Sequence, residues 1–296
     1  MLEQVLSSKI KKLSLMKFIS ALFICCVLIQ GSVLSQVSKK QELPDARYET
    51  QEVRKTEWIG HMGSRGPFVQ NTTEAFIEGA KRGYYGLELD LRVSSDGVFY
   101  ICHDNIFKPY LFTDSTLHGQ PMGAFTWEEL KDLEIKNTRD STVYYSTLTR
   151  FEDYLQIIKD NDVKAIIELK WTNGINNNDT SNVEKLISLV KSYGVYDRAI
   201  FFTSMQTVLN HIRSNYADAN LMFLSGATTT TQENINWAIE NNMWMGILHT
   251  VITEDIVTQL HQANLKVNAY TVNSEEDAIR LRDLNVDYIT TDDLGQ

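Results

Sequence analysis

Cysteine is scarce in this 296-residue chain: two of three, Cys25 and Cys26, are adjacent in an apolar N-terminal stretch, leaving only Cys102 beyond it. One thiol cannot form an internal disulfide, so the main body needs a hydrophobic core of its own. Cys102, beside His103, reads as a small buried hydrophobe and not as a reactive thiol. Positive charge is also in deficit, with 28 Lys and Arg against 38 Asp and Glu, a formal net charge of −10. That balance repels polyanions and excludes nucleic acid as a partner; an anionic substrate would need a local cationic centre. Long hydrophobic runs are missing too. The most apolar stretch, Phe18 to Ile29, is shorter than the roughly 20 residues of a bilayer span.

That stretch follows Lys9, Lys11, Lys12 and Lys17 and precedes Val33-Leu34-Ser35, the basic, apolar and slim segments of a secretory leader over residues 1–35. Met16-Lys17 offers a more compact alternative start. An uncleaved anchor is disfavoured by the short apolar core, and a lipid-modified Cys25 or Cys26 by the lack of a small residue before either. Cleavage would remove four Lys and one Glu, leaving 24 basic and 37 acidic side chains and a charge of −13. The location expected is secreted or periplasmic, with no stable membrane span in the mature chain; oligomeric state is left open. Residues 36–56 are polar, without a sustained period, and read as an N-terminal linker. No Gly-, Ser- or Pro-rich linker follows residue 56, so residues 57–296 are expected to form one domain.

Within that domain short apolar runs alternate with longer amphipathic ones. Strands are predicted at 58–61, 86–91, 163–169, 199–203, 220–225, 244–250, 266–271 and 287–291. Helical patterns fall at 73–81, 182–193, 205–215, 231–241, 253–263 and 274–284, with start signals such as Thr231 before Glu233 and Ser274 before Glu276 and Asp277. Eight strands alternating with helices is the pattern of an α/β (β/α)8 TIM barrel. Residues 98–150 interrupt it with an extended run at 98–103, a Gly119-Gln120-Pro121 turn and a short helix around 126–133. They read as an insertion after strand 2, about 105–150, with 147–159 resuming the helix layer.

Catalytic groups of this fold lie at the C-terminal ends of the strands, and the unusual polar residues fall there: His61, Glu88 and Asp90, Glu168 and Lys170, His249, Tyr270 and Asn273, and Asp292. Glu88 and Asp90 are two residues apart within Leu87-Glu88-Leu89-Asp90-Leu91. Strand side chains alternate, so both carboxylates share one face while the leucines take the other. Burying two like charges unpaired costs several kcal/mol, roughly, so either a cation sits between them or their pKa values are split for proton transfer. An exposed edge strand with solvated acids is the competing reading, and the flanking leucines oppose it. Trp127, Trp171, Trp237 and Trp244 read as packing residues, with Trp171 also placed to wall a pocket. Phe107, Tyr110, Leu111 and Phe112 are either the core of the insertion or a lid over the site.

His61-Met62-Gly63, Asn71-Thr72, Glu74-Ala75-Phe76, Glu88-Leu89-Asp90, Asp96-Gly97, His103-Asp104, Ile167-Glu168-Leu169-Lys170 and Tyr270-Thr271-Val272-Asn273 together resemble the ordered motifs of the glycerophosphodiester phosphodiesterases. The resemblance covers residues 58–293. It implies a metal-dependent barrel hydrolase that cleaves a small-molecule glycerophosphodiester to glycerol 3-phosphate and an alcohol. Carried over by position, Glu88, Asp90 and Glu168 would hold one divalent cation, and His61 and His103 would serve as general acid and base. Lys170, Arg65, Tyr270 and His249 are the candidate substrate-binding residues. Oxygen donors without cysteine suit Mg2+ or Ca2+ better than Zn2+. Where the family has Arg after the first His this chain has Met62, and where it has Glu before Asn-Thr it has Gln70. An Arg fork cannot be replaced by Met, which makes Arg65 and Arg92 candidate substitutes. Two rival readings stay open: a phospholipase D-like cyclising phosphodiesterase acting on lyso- or sphingolipids, and a non-catalytic barrel used as a binding module.

Overall fold

A computed structural model describes residues 55–139 and 141–295. The expected leader, and the linker up to residue 54, lie outside the described residues. The strands are β1 Glu57–Gly60, β2 Gly86–Val93, β3 Phe99–Ile101, β4 Glu134–Arg139, β5 Thr142–Thr147, β6 Thr149–Arg150, β7 Lys164–Leu169, β8 Ala199–Thr203, β9 Asn220–Ser225, β10 Trp244–Leu248, β11 Val267–Tyr270 and β12 Tyr288–Thr291. Eight of them, β1, β2 and β7 to β12, pair in parallel, and β1 closes the ring by pairing with both β2 and β12. This is the (β/α)8 barrel that the alternating pattern predicts.

The helices are α1 Thr73–Lys81, α2 Trp127–Leu130, α3 Phe151–Asp160, α4 Val183–Ser192, α5 Gln206–Asn215, α6 Gln232–Glu240, α7 Glu254–Gln262 and α8 Glu275–Asp283. Their starts follow from local chemistry. The side chains of Thr72, Thr231, Thr253 and Ser274 each accept a hydrogen bond from a backbone N–H in the first turn of the helix they precede, each cap contributing about 1 kcal/mol. Leu87, Leu89 and Leu91 of β2 face the helix layer and are fully buried there. The alternate residues, Glu88 and Asp90, therefore point into the barrel. Beneath them Ile59, Ile166, Ile200, Phe202, Met222 and Tyr288 fill the interior. Gly86 shares the inward face, where a Cβ would come within 2.8 Å of Ile166; its absence lets that layer pack under the acids.

The insertion holds more sheet than its sequence suggested. A helix does form at α2, but β4 and β5 make an antiparallel hairpin, and β3 extends β2 antiparallel and pairs in turn with β6. β5 runs to Thr147 and the helix layer resumes only at Phe151. Strand formation wins here because cross-strand pairing in a satellite core, which local periodicity does not reveal, decides the outcome. That core gathers Phe107, Leu111, Phe112, Met122, Leu130 and Ile135, so three of the four candidate lid residues are packing, and only Tyr110 is exposed, at 59%. Cys102 is buried beside Met122 and its thiol is pushed up to about 12, chiefly by burial. No helix among the described residues is long and apolar enough to cross a membrane.

Candidate active site

Register brings the acids together. Asp90 of β2 pairs directly with Glu168 of β7, and Glu88 lies one inward position below Asp90. One oxygen from each of Glu88, Asp90 and Glu168 lies within 4.8 Å of the others. That is about the widest separation of two oxygens across an ion bound at roughly 2.4 Å. The cluster is buried, with Glu88 and Asp90 nearly inaccessible. Asp90 Oδ2 accepts from Asn71 Nδ2 at 2.8 Å, whereas its buried Oδ1 accepts no hydrogen bond. A buried carboxylate oxygen with no hydrogen bond, met only by the Lys170 ammonium at 3.3 Å and set beside two more carboxylates, fits a hard divalent cation.

The charges are strongly perturbed. Burial, then the charges of Asp90 and Glu168, push Glu88 well above the usual carboxylate range. Glu168 is pushed up to about 7 by burial and then by Asp90, against the pull of Lys170. Burial also opposes ionisation of Asp90, but Lys170, His103, Asn71 and His61 together outweigh it and keep its pKa low. The Lys170 ammonium lies 2.9 Å from Glu168 Oε1 and 3.3 Å from Asp90 Oδ1. Burial works against its charge too, and those two acids more than restore it.

The turn after β1 supplies the next element. Met62 adopts φ 52° and Gly63 φ 87°, left-handed conformations rare outside glycine, asparagine and aspartate. The Met62 N–H donates to Glu88 Oε2 at 2.9 Å, and its carbonyl accepts from the Asn71 N–H at 3.0 Å. A Cβ on Gly63 would lie 2.7 Å from the Ala75 carbonyl carbon. The turn thereby sets His61 at the rim. His61 Nδ1 is 2.7 Å from Asp292 Oδ1, and its Nε2 is 4.0 Å from Glu88 Oε2. Asp292 also accepts from Arg65 at 2.9 Å and Asn273 at 2.8 Å. Burial opposes its charge, but His61 and Arg65 hold the carboxyl at about 2. His103 is more open, its side chain 44% exposed, with Nδ1 3.5 Å from Asp104 Oδ1; the Tyr110 hydroxyl donates to the other oxygen of Asp104.

These groups converge on a cavity of about 260 Å³, whose wall includes His61, Glu88, His103, Glu168, Lys170 and Tyr270 together with the apolar Met62, Phe202 and Leu224. Two histidines, each with a carboxylate near Nδ1, line one cavity together with two of the three clustered acids and a lysine. Such a site can move protons on both sides of an anionic centre.

The family described as the Glycerophosphoryl diester phosphodiesterase family matches residues 61–296 of this chain. The chain belongs to that family. It is accordingly a phosphoric diester hydrolase by membership. A glycerophosphodiester phosphodiesterase of Caldanaerobacter subterraneus is 26% identical over 249 residues, covering 81% of this chain and 95% of the relative. Among solved structures, a glycerophosphodiester phosphodiesterase of Parabacteroides distasonis superposes with a TM-score of 0.67 at 21% identity, covering 81% of this chain and 93% of the other. An Oleispira antarctica phosphodiesterase, solved in complex with the product sn-glycerol-3-phosphate, has a TM-score of 0.62 at 18% identity over 80% of this chain and 92% of its own.

Not every candidate residue of this family member reaches the cavity. Arg65 is turned to Asp292, and Arg92 lies beneath the surface, donating to the carbonyls of Cys102, His103 and Trp171; neither lines the cavity, so neither stands in for an Arg at Met62. His249 begins a 3-10 turn beyond β10, 3.5 Å from Asp277 of α8, and is also absent from the wall. Tyr270 does line it, with its hydroxyl donating to the Ser225 carbonyl at 3.0 Å. Trp171 is 56% exposed and is not a packing residue, whereas Trp237 and Trp244 pack on the main core and Trp127 on the satellite core. Sequence reasoning gave no role to Asn71, although it stands in a quoted motif, nor to Asp292, although it follows the last strand. The available signals were the place of Asn71 just before a helix start and of Asp292 just after a strand; their partners lie 19 and 231 residues away.

Proposed function

We propose that this protein hydrolyses a glycerophosphodiester to glycerol 3-phosphate and an alcohol, with one divalent cation, Mg2+ or Ca2+, held by Glu88, Asp90 and Glu168. The observation that carries the reading is the clustering of these three carboxylates at a cavity that Glu88 and Glu168 line together with His61, His103 and Lys170. When bound, the cation would supply positive charge to the phosphate oxygens. Lys170, on the same strand face as Glu168, would neutralise a further phosphate oxygen. His61 donates its Nδ1–H to Asp292, which leaves the Nε2 lone pair toward the cavity; in that tautomer it accepts the proton of the attacking hydroxyl. Attack by the glycerol hydroxyl of the substrate forms a P–O bond and breaks the bond to the leaving alcohol. His103 as imidazolium gives that alcohol its proton. Water then opens the cyclic phosphate with the two imidazoles in reversed roles, closing the proton balance.

Family membership favours this reading over the cyclising phospholipase D-like enzyme and the non-catalytic barrel. The leader-like residues 1–35 support export, so the enzyme would work outside the cytoplasm; N-terminal sequencing of protein from the culture medium or periplasm tests that. The function itself is tested by enzymatic detection of glycerol 3-phosphate released from several glycerophosphodiesters, with Ca2+, with Mg2+ and with chelator. Release that needs the cation is expected. Undiminished release in chelator would contradict the metal role, and a lasting cyclic phosphate would support the cyclising alternative.

A further inference from the structure

Arg92 holds the backbone of the active-site rim and borders a second cavity. Its side chain is buried on the inward face of β2, and its guanidinium donates to the carbonyls of Cys102 at 2.9 Å, of Trp171 at 3.1 Å and of His103. One residue thus fixes side by side the two segments that leave the active site, one through His103 and the other through Lys170 and Trp171. Beyond this clamp lies a separate cleft of about 310 Å³ between the insertion and the loop after β7, lined by Arg92, Trp171, Asn105 and Asn173 among others. Its volume is at the lower end of small-molecule sites.

The lining selects a chemistry. Among the described residues no carboxylate borders the cleft, and the other aromatic ring at its wall, Tyr100, is fully buried. A quaternary ammonium would therefore find neither a counter-charge nor an aromatic cage. An acyl chain would meet amides instead of apolar walls. Three of the five guanidinium N–H groups of Arg92 go to carbonyls, leaving two donors. Asn173 donates through Nδ2 to the Gly123 carbonyl at 2.9 Å, so its Oδ1 is the acceptor left to the cleft. Trp171 has its backbone fixed by Arg92 and its indole 56% exposed, a flat face on which the C–H side of a polyol can stack. Donors, acceptors and one open ring suit a neutral molecule with several hydroxyls.

Resting on the phosphodiesterase reading above, the geometry points to this cleft as the subsite for the leaving alcohol, and to a polyhydroxylated alcohol such as glycerol, inositol or a sugar as its occupant. His103, which lines the active cavity and whose carbonyl is held by Arg92 of the cleft wall, is then the imidazole nearest the departing oxygen.

The test is kcat/KM for diesters that share the glycerophosphate and differ only in the alcohol: glycerophosphoinositol, glycerophosphoglycerol and glycerophosphocholine. The polyol diesters should exceed the choline diester by about tenfold in the wild type, and Trp171→Ala should bring that ratio close to one. A wild-type ratio near one, or a preference that Trp171→Ala leaves intact, would overturn the proposal. If no diester is turned over, the phosphodiesterase reading fails, and the cleft is then read alone by saturation-transfer NMR with free myo-inositol and free choline. Signal for inositol above choline, lost in both Trp171→Ala and the surface variant Asn105→Leu, supports the subsite. Equal signals, no signal, or signal retained in both variants overturns it.

Discussion

The two ends of the barrel solve opposite problems. At the N-terminal end Tyr85, Trp244, Lys266 and Tyr288 close the floor: the rings of Tyr85 and Tyr288 are 5.0 Å apart, and those of Trp244 and Tyr288 5.8 Å. The Lys266 ammonium donates to the Tyr288 hydroxyl at 2.7 Å and lies about 5 Å over two rings, and the Lys164 ammonium lies 6.0 Å from the Tyr85 ring, so positive charge there is answered from within. At the C-terminal end three carboxylates crowd together with a single lysine between them, and Asp90 Oδ1 meets only that ammonium, at 3.3 Å. A floor with satisfied charges contributes stability. A mouth that retains repulsion works against folding and is kept for what it binds.

Substitutions at the two ends should separate these roles. The largest effect is expected from Asp90→Asn, which should lower kcat/KM about 10^3-fold while the barrel stays folded in chelator, its Tm falling only slightly as the Lys170 ion pair is lost. A Tm loss matching the activity loss would erase the distinction between the ends. Trp244→Ala is the mirror case, with a cost of about 3 kcal/mol in urea unfolding and kcat unchanged within twofold. A collapse of kcat would show that the floor also shapes the site.

The mouth should also leave a pH signature in chelator. Glu168 is held at about 7, above its ordinary 4.5. Its ionisation therefore opposes folding: this stability is fully present below about pH 4.5 and is lost as pH rises through 7, by up to about 3 kcal/mol. Glu168→Gln should flatten that decline in thermal melts, and an equal slope in both proteins would sink the idea. Asp292 has the opposite sign. Its carboxyl is held at about 2, below its ordinary 3.8, so its contribution of about 2 kcal/mol is present above pH 4 and lost as pH falls through 2. Asp292→Asn should also lower kcat roughly 10^2-fold by releasing His61, with little change in KM. A change in KM alone would make Asp292 a binding group instead.

Much of this was legible in the sequence, for identifiable reasons. The period-two alternation of Leu87 to Leu91 placed Glu88 and Asp90 on one face, and the barrel then brought Glu168 opposite Asp90 through strand register. Thr231 and Ser274 marked helix starts because capping is a local interaction. The hairpin at 134–147 escaped because its pairing depends on the satellite core around Phe107 and Phe112. Arg65 and Arg92 looked available for phosphate because their partners, Asp292 in one case and three loop carbonyls in the other, are set by tertiary contact alone. Trp171 was legible in part: the packing reading fails, whereas its place directly after Lys170 had marked it as a pocket wall, and it lines a cavity.

Glycerol 3-phosphate release by wild type and Asp90→Asn, side by side in saturating Mg2+ or Ca2+ and after chelation, bears most directly on the role of the acidic cluster. Cation-dependent release by the wild type and none above background by the folded variant is the expected result. Comparable release from the two proteins, or release indifferent to chelator, would contradict it.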